Sequence, residues 1–196
     1  NSGENRFNGD SVQAIMDALD TVERSSEPTA LVTTGDGKFY SNGLDLNWIA
    51  TLTPEQAHAF ISQVHELLAR ILTFPMITVA AINGHAFAAG AMFVLAHDFR
   101  IMRADRGYFC LPEVDIGIPF TAPMKEVIQA RLPKLTAHEA MVTGKRYPAQ
   151  AALARHAVAG AVGAQGAALV AAAASAAAAR AGARVRAAAG RGGLAA

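Results

Sequence analysis

The sequence predicts an α/β fold whose strands pair mostly in parallel, and three observations carry that prediction. Short β-rich runs alternate with helix-periodic segments over about 140 residues, the pattern of strands joined by crossover helices. MITVAAI (76–82) is continuously apolar, as expected of a strand in a sheet covered on both faces. One helix is strongly signalled: Thr53-Pro54-Glu55-Gln56 supplies a cap, a proline at the first helical position and a glutamine at the third. Phe60, Val64, Leu67 and Ile71 then mark its apolar face.

The remaining elements follow in chain order. DSVQAIMDALDTVE (10–23) repeats Val12, Ile15, Leu19 and Val22 at helical spacing, with Asp10 as its cap. After a turn at SSEP (25–28), ALVTTG (30–35) reads as a strand ending at Gly35 and leading into the glycine-rich stretch GDGKFYSNGLD (35–45). Pro75 closes the capped helical segment ahead of MITVAAI. NGHAFAAG (83–90) then leads through small residues into a buried helix, AMFVLAHD (91–98). FRIMRA (99–104) is the next strand, DRG (105–107) a turn and FCLPE (109–113) a strand-like edge. TAPMKEVIQARLP and LTAHEAMVTG are two further helices, the second capped by Thr136 with Glu139 at its third position.

From Ala151 the chain changes character. Of its last 46 residues 24 are alanine, and ALVAAAASAAAARAGARVRAAA (168–189) reads as a helix that buries little per residue. The expected organisation is a core over 1–150 and an alanine-rich helical region over 151–196. Charge divides at the same place: all 16 acidic residues precede it, whereas five arginines and no acid follow. Such a tail is either a contact for phosphate or nucleic acid or a solvated helix face, and the second reading leaves no nucleic-acid partner.

Composition narrows the class. With 52% apolar and 17% charged residues the 196-residue chain is globular and long enough for a full core. One cysteine excludes a disulfide scaffold or a cysteine-rich zinc site. The most apolar run, Pro75 to Ala96, is interrupted by Asn83, Gly84 and His85, which argues against a membrane span. No basic leader precedes an apolar segment at the start, and a cytoplasmic location is expected.

The glycine stretches fit no nucleotide fingerprint. Gly37-Lys38 is followed by Phe39, not Ser or Thr, and the third glycine of GxGxxG would fall on Tyr40. Small residues also expose backbone N–H groups, and two such donors aimed at one point stabilise charge on a carbonyl oxygen. Asn42-Gly43-Leu44 turns after a strand, and Ala88-Ala89-Gly90 opens a buried helix whose first N–H groups lack partners. Close packing of helix on sheet would demand the same residues. Glu113, approached by Leu111 and Pro112, is the candidate proton mover, its proton affinity raised by apolar surroundings. A salt-bridged surface glutamate is the alternative. Asp115 would share its face if the strand continued. The six histidines show no zinc spacing, and Cys110 reads as a buried structural thiol.

Residues 30–49 (ALVTTGDGKFYSNGLDLNWI), 76–119 and VTGKRYPAQAALARHAV (142–158) resemble the enoyl-CoA hydratase/isomerase, or crotonase, superfamily. SNGLDL together with DRGYFCLPEVDIGIP is most similar to its single-glutamate Δ3,Δ2-enoyl-CoA isomerases. The resemblance implies a spiral of ββα units, with the family's N-terminal strands missing from the 1–150 core. It implies a homotrimer or a dimer of trimers, and a place in fatty-acid β-oxidation. By the same comparison the backbone N–H groups of Leu44 and Ala89 form the oxyanion hole, and Ser41, Asn42 and Gly43 face the adenine of CoA. Glu113 matches the family's second glutamate, whereas the first falls on Met92, which cannot move a proton. Trp48, Ile49, Met92 and Leu111 would line the acyl tail. Hydration requires two proton-handling groups and isomerisation one, so the implied activity is conversion of 3-enoyl-CoA to 2-enoyl-CoA. No metal or redox cofactor is implied, CoA being part of the substrate. The alternatives are enoyl-CoA hydration and a non-catalytic acyl-CoA-binding or scaffold protein.

Overall fold

Three times in succession the chain lays a strand in one sheet, a strand in a second sheet, and then a helix. The computed structural model describes residues 3–24, 30–163 and 166. After helix α1 (Gly9–Glu23), the first round is β1 (Leu31–Thr34), β2 (Phe39–Ser41), α2 (Leu46–Ile49) and α3 (Pro54–Leu72). The second is β3 (Thr78–Ile82), β4 (His85–Phe87) and α4 (Ala89–Ala96), and the third β5 (Phe99–Arg103), β6 (Phe109–Cys110) and α5 (Glu113–Ile116). Then come α6 (Ala122–Arg131), α7 (Lys134–Thr143), α8 (Ala149–Ala154) and β7 (Gly160–Val162). Each round returns in the same direction, so the strands stack as two parallel sheets, β1-β3-β5-β7 and β2-β4-β6. This is the spiral of ββα units that the resemblance implies.

The core sits where the helices close on these sheets. All five residues of β3 are buried, as its unbroken apolar run requires. Every residue of α4 is buried too, because it runs through the interior with α3 and α6 packed against it. At its C-terminal end His97 is fully buried yet fully satisfied. Nδ1–H donates to Phe93 O at 2.8 Å, and Nε2 accepts from Thr33 Oγ1 at 2.9 Å. Thr33 Oγ1 in turn lies 2.5 Å from the Tyr40 hydroxyl. Burial pushes His97 down to about 4, so this ring is a neutral strut.

Several local expectations hold and others shift. Thr53 and Gln56 form the expected capping box on α3, and Phe60, Val64, Leu67 and Ile71 are buried. The cap of α1 is Asn8, paired reciprocally with Ser11, and Asp10 lies in the first turn instead. α7 starts after Pro133, which places Thr136 inside it as a buried residue and not as a cap. β2 and β4 hide within the two small-residue stretches, since three residues give too little periodicity to register. The FCLPE edge is a strand only through Cys110, and Glu113 opens the helical turn α5. The turn expected at SSEP, the helix expected over 168–189 and the arginines Arg180, Arg184, Arg186 and Arg191 lie outside the described residues.

Candidate active site

Two loops meet where β2 and β4 end. β2 carries a bulge: Phe39 pairs with His85 and Ser41 with Ala86, so two steps on one strand match one on the other. Gly43 then takes φ +79°, and a Cβ there would lie 2.9 Å from Ala88 Cβ and 3.1 Å from Ala89 N. Only glycine lets the loop come this close. Phe7 N–H donates to Gly43 O and Asp45 N–H to Phe7 O, both at 2.8 Å, a bridge that straddles Leu44 and leaves its N–H without an acceptor among the described residues.

The second loop is sharper. Ala88 adopts φ 51°, ψ −127°, a conformation that costs a side-chain-bearing residue about 1–3 kcal/mol. It turns β4 directly into α4, with Ala88 O accepting from Ala91 N and Met92 N. No side chain caps α4, so the Ala89 N–H at its first position has no protein acceptor among the described residues.

Leu44 and Ala89 line one cavity of about 370 Å³, together with Asn42, Met92 and Glu113. Its lining includes the polar side chains of Arg6, Asn42 and Asn47 and the apolar ones of Ile116, Ile118, Phe120 and Met124. Arg6 is paired with Glu4 at 2.5 Å, and Asn42 Nδ2 donates to the same carboxylate at 2.9 Å. Glu113 is the one acidic residue lining the cavity among those described. It is 5% exposed, and its Oε2 is buried with no hydrogen-bond partner. Desolvation raises its pKa to about 7, against a smaller opposing effect of a backbone hydrogen bond. Such a group exchanges a proton readily near neutrality.

The structure therefore brings Leu44, Ala89, Asn42, Met92 and Glu113 together and places other candidates around them. Ser41 is buried behind the loop, 2% exposed, and Gly43 lies against Ala88; neither lines the cavity. Trp48 and Ile49 do not line it either: Trp48 packs edge-on against Phe60 at 4.8 Å, and Ile49 packs on the core. Leu111 is wholly buried core. Asp115 is exposed and two residues beyond Glu113 on a helical turn, so no carboxylate pair forms. Cys110 donates Sγ–H to Gly144 O at 3.1 Å, and burial raises its thiol to about 11, consistent with an inert structural group. Among the described residues no three metal-ligating side chains assemble, and no helix is long and apolar enough to cross a membrane. Sequence reasoning missed Arg6, Phe87 and the wall from Ile116 to Phe120; the one clue to that wall was an apolar VDIGIPF run too short for a core helix.

Residues 2–188 match the family described as enoyl-CoA hydratase/isomerase. The chain is 36% identical over 156 residues to enoyl-CoA delta isomerase 3 of Arabidopsis thaliana, covering 77% of this chain and 66% of the relative. It is also 36% identical over 151 residues to the same plant's peroxisomal enoyl-CoA delta isomerase 2, covering 74% and 63% respectively. The chain thus spans slightly less than two thirds of these relatives' length. Among solved structures, a ligand-free enoyl-CoA isomerase of Mycobacterium tuberculosis superposes with a TM-score of 0.82 at 27% identity, over 89% of this chain and 75% of that one. An enoyl-CoA hydratase/isomerase family protein of Pseudomonas syringae gives 0.80 at 30% identity, over 88% and 75%.

Proposed function

The chain belongs to the enoyl-CoA hydratase/isomerase family, and from that premise we propose that it isomerises 3-enoyl-CoA thioesters to 2-enoyl-CoA. The observation that carries this choice is the cavity's acid inventory: Glu113 lines it, and Met92 stands where the resemblance puts a hydratase's other glutamate. The plant relatives named as delta isomerases support the same choice.

The thioester oxygen would accept from the N–H groups of Leu44 and Ala89. Glu113 Oε2 takes a proton from C2, the C2–H electron pair becomes a C1–C2 double bond as the carbonyl π pair moves onto the thioester oxygen, and a dienolate conjugated with C3–C4 forms. The same proton, now on Glu113, is returned to C4 as the double bond settles between C2 and C3. Atoms and charge balance with one base and no cofactor. The backbone donors act where negative charge develops, and the apolar walls keep them unscreened. In this reading the backbone at Ser41, Asn42 and Gly43 faces the CoA adenine, and the chain assembles as a homotrimer or a dimer of trimers.

Separate incubations with 3-enoyl-CoA and 2-enoyl-CoA, followed by ultraviolet absorbance of the conjugated thioester, test the proposal. Gain of conjugation from the first and persistence of the second are expected. Loss of conjugation from the second would make the protein a hydratase. Inertness toward both would leave a non-catalytic acyl-CoA-binding protein.

A further inference from the structure

Resting on that reading of the site, we propose that Ser41 is a positioning residue whose hydroxyl, itself off the cavity wall, aims the Leu44 amide into the cavity. Its hydroxyl is engaged on both sides. Ser41 Oγ donates to Asn5 O at 2.7 Å and accepts from Gly43 N–H at 3.2 Å. The side chain is 2% exposed and lies behind the loop, not on the cavity wall.

The consequence follows from the planarity of two successive peptides. The plane preceding Gly43 carries the Gly43 N–H, which Ser41 Oγ holds. The plane following it carries Gly43 O, held by Phe7 N–H, and on its opposite edge the Leu44 N–H. Gly43 is thus clamped on both sides at φ +79°, and Leu44 N–H is the group left over, pointing away from the contact with Phe7. A glycine in that conformation is otherwise among the freest residues in a chain. Releasing its N–H would let the first plane rock and would introduce a second, misplaced donor beside the first.

The seat for Ser41 is equally specific. A Cβ on Gly90 would lie 2.5 Å from Ser41 O, 2.7 Å from its Cβ and 2.8 Å from its Oγ. Gly90 therefore makes room for a small side chain and for little else. Asn5, whose backbone carbonyl accepts the Ser41 hydroxyl hydrogen bond, is itself anchored by Nδ2–H bonds to Asp36 O at 3.0 Å and Phe39 O at 2.8 Å.

The test pairs Ser41→Ala with Ser41→Cys and reads both turnover and enolate binding. A 3-oxoacyl-CoA such as acetoacetyl-CoA is the probe, because its enolate absorbs in the near ultraviolet when an oxyanion site stabilises it. Ser41→Ala is expected to lower kcat for 3-enoyl-CoA about tenfold, less than the 10²–10³ lost with an oxyanion donor itself, while KM stays within about twofold. The enolate band should weaken in parallel, and Ser41→Cys should recover part of both. Hydrogen exchange on the wild-type protein gives a readout that needs no variant: the Gly43 amide should be protected, and Leu44 should become protected only when the probe is bound. Unchanged turnover and an unchanged band in folded Ser41→Ala would overturn the inference, as would rapid exchange at Gly43. Absence of the band in the wild-type protein as well would sink the reading of the site itself.

Discussion

Two buried ionisable side chains flank the central helix α4, and they are buried in opposite ways. His97, at its C-terminal end, has both ring nitrogens bonded and is held neutral, near 4. Glu113, beside the cavity at the other end, keeps one oxygen without a partner and is held near 7. Both are penalised by desolvation, yet only the glutamate faces space that a ligand can fill. A satisfied buried group braces the fold, whereas an unsatisfied one in a cavity is ready to react.

The largest expected effect breaks the glutamate side of this comparison. Glu113→Gln should cut turnover of 3-enoyl-CoA by about 10²–10⁴-fold with acyl-CoA binding largely kept, as stopped-flow and titration calorimetry would register. The same variant should be more stable than wild type at pH 8. Raising a carboxyl from 4.5 to about 7 penalises the folded, ionised state by about 3 kcal/mol at 1.36 kcal/mol per pH unit, and the amide escapes that penalty. Urea unfolding at pH 8 and pH 4.5 measures it, and the gain should vanish at the lower value. His97→Gln, on the other side, should lose about 1–3 kcal/mol at pH 8, since a bonded core group is replaced by one that reaches fewer partners.

The two groups also oppose each other in pH dependence. His97, lowered from 6.5 to about 4, contributes stability that is present above 6.5 and lost as pH falls toward 4. Glu113, raised from 4.5 to about 7, contributes stability that is full below 4.5 and lost as pH rises through 7. Their slopes nearly cancel in wild type between those limits. Glu113→Gln should unmask a stability that falls with acid, and His97→Gln one that rises with it, both visible in denaturant midpoints across pH. The smallest effect concerns another residue lining the cavity: Ala88→Gly, which relieves φ 51°, should gain about 1 kcal/mol after the flexibility of glycine is offset.

What the sequence made legible divides along physical lines. Periodic segments were readable, as with Phe60, Val64, Leu67 and Ile71 on α3, because one buried face leaves a regular trace. β2 and β4 were not, being three residues long and specified by neighbours in the spiral. Glu113 could be singled out because a charge amid apolar letters is conspicuous, although its strand proved to be a helical turn. The glycines and alanines around Leu44 and Ala89 suggested either backbone donors or close packing, since a backbone donor leaves no letter of its own, and the resemblance alone implied these two amides. Trp48, Ile49 and Leu111 were apolar in the right neighbourhood but face the core, which spacing alone does not resolve. Ser41 lies between these cases: the resemblance implied a backbone contact with CoA, whereas its side chain is buried and makes two hydrogen bonds, to Asn5 O and from Gly43 N–H.

The central claim is that one buried glutamate moves the proton, and the pH dependence of kcat/KM for 3-enoyl-CoA, which reports ionisations of the free enzyme, tests it most directly. kcat/KM is expected to climb with pH to a plateau through one ionisation near 7, from a group whose replacement in Glu113→Gln abolishes the profile along with the activity. A rate independent of pH across that range, or a Glu113→Gln variant that retains wild-type turnover, would contradict it.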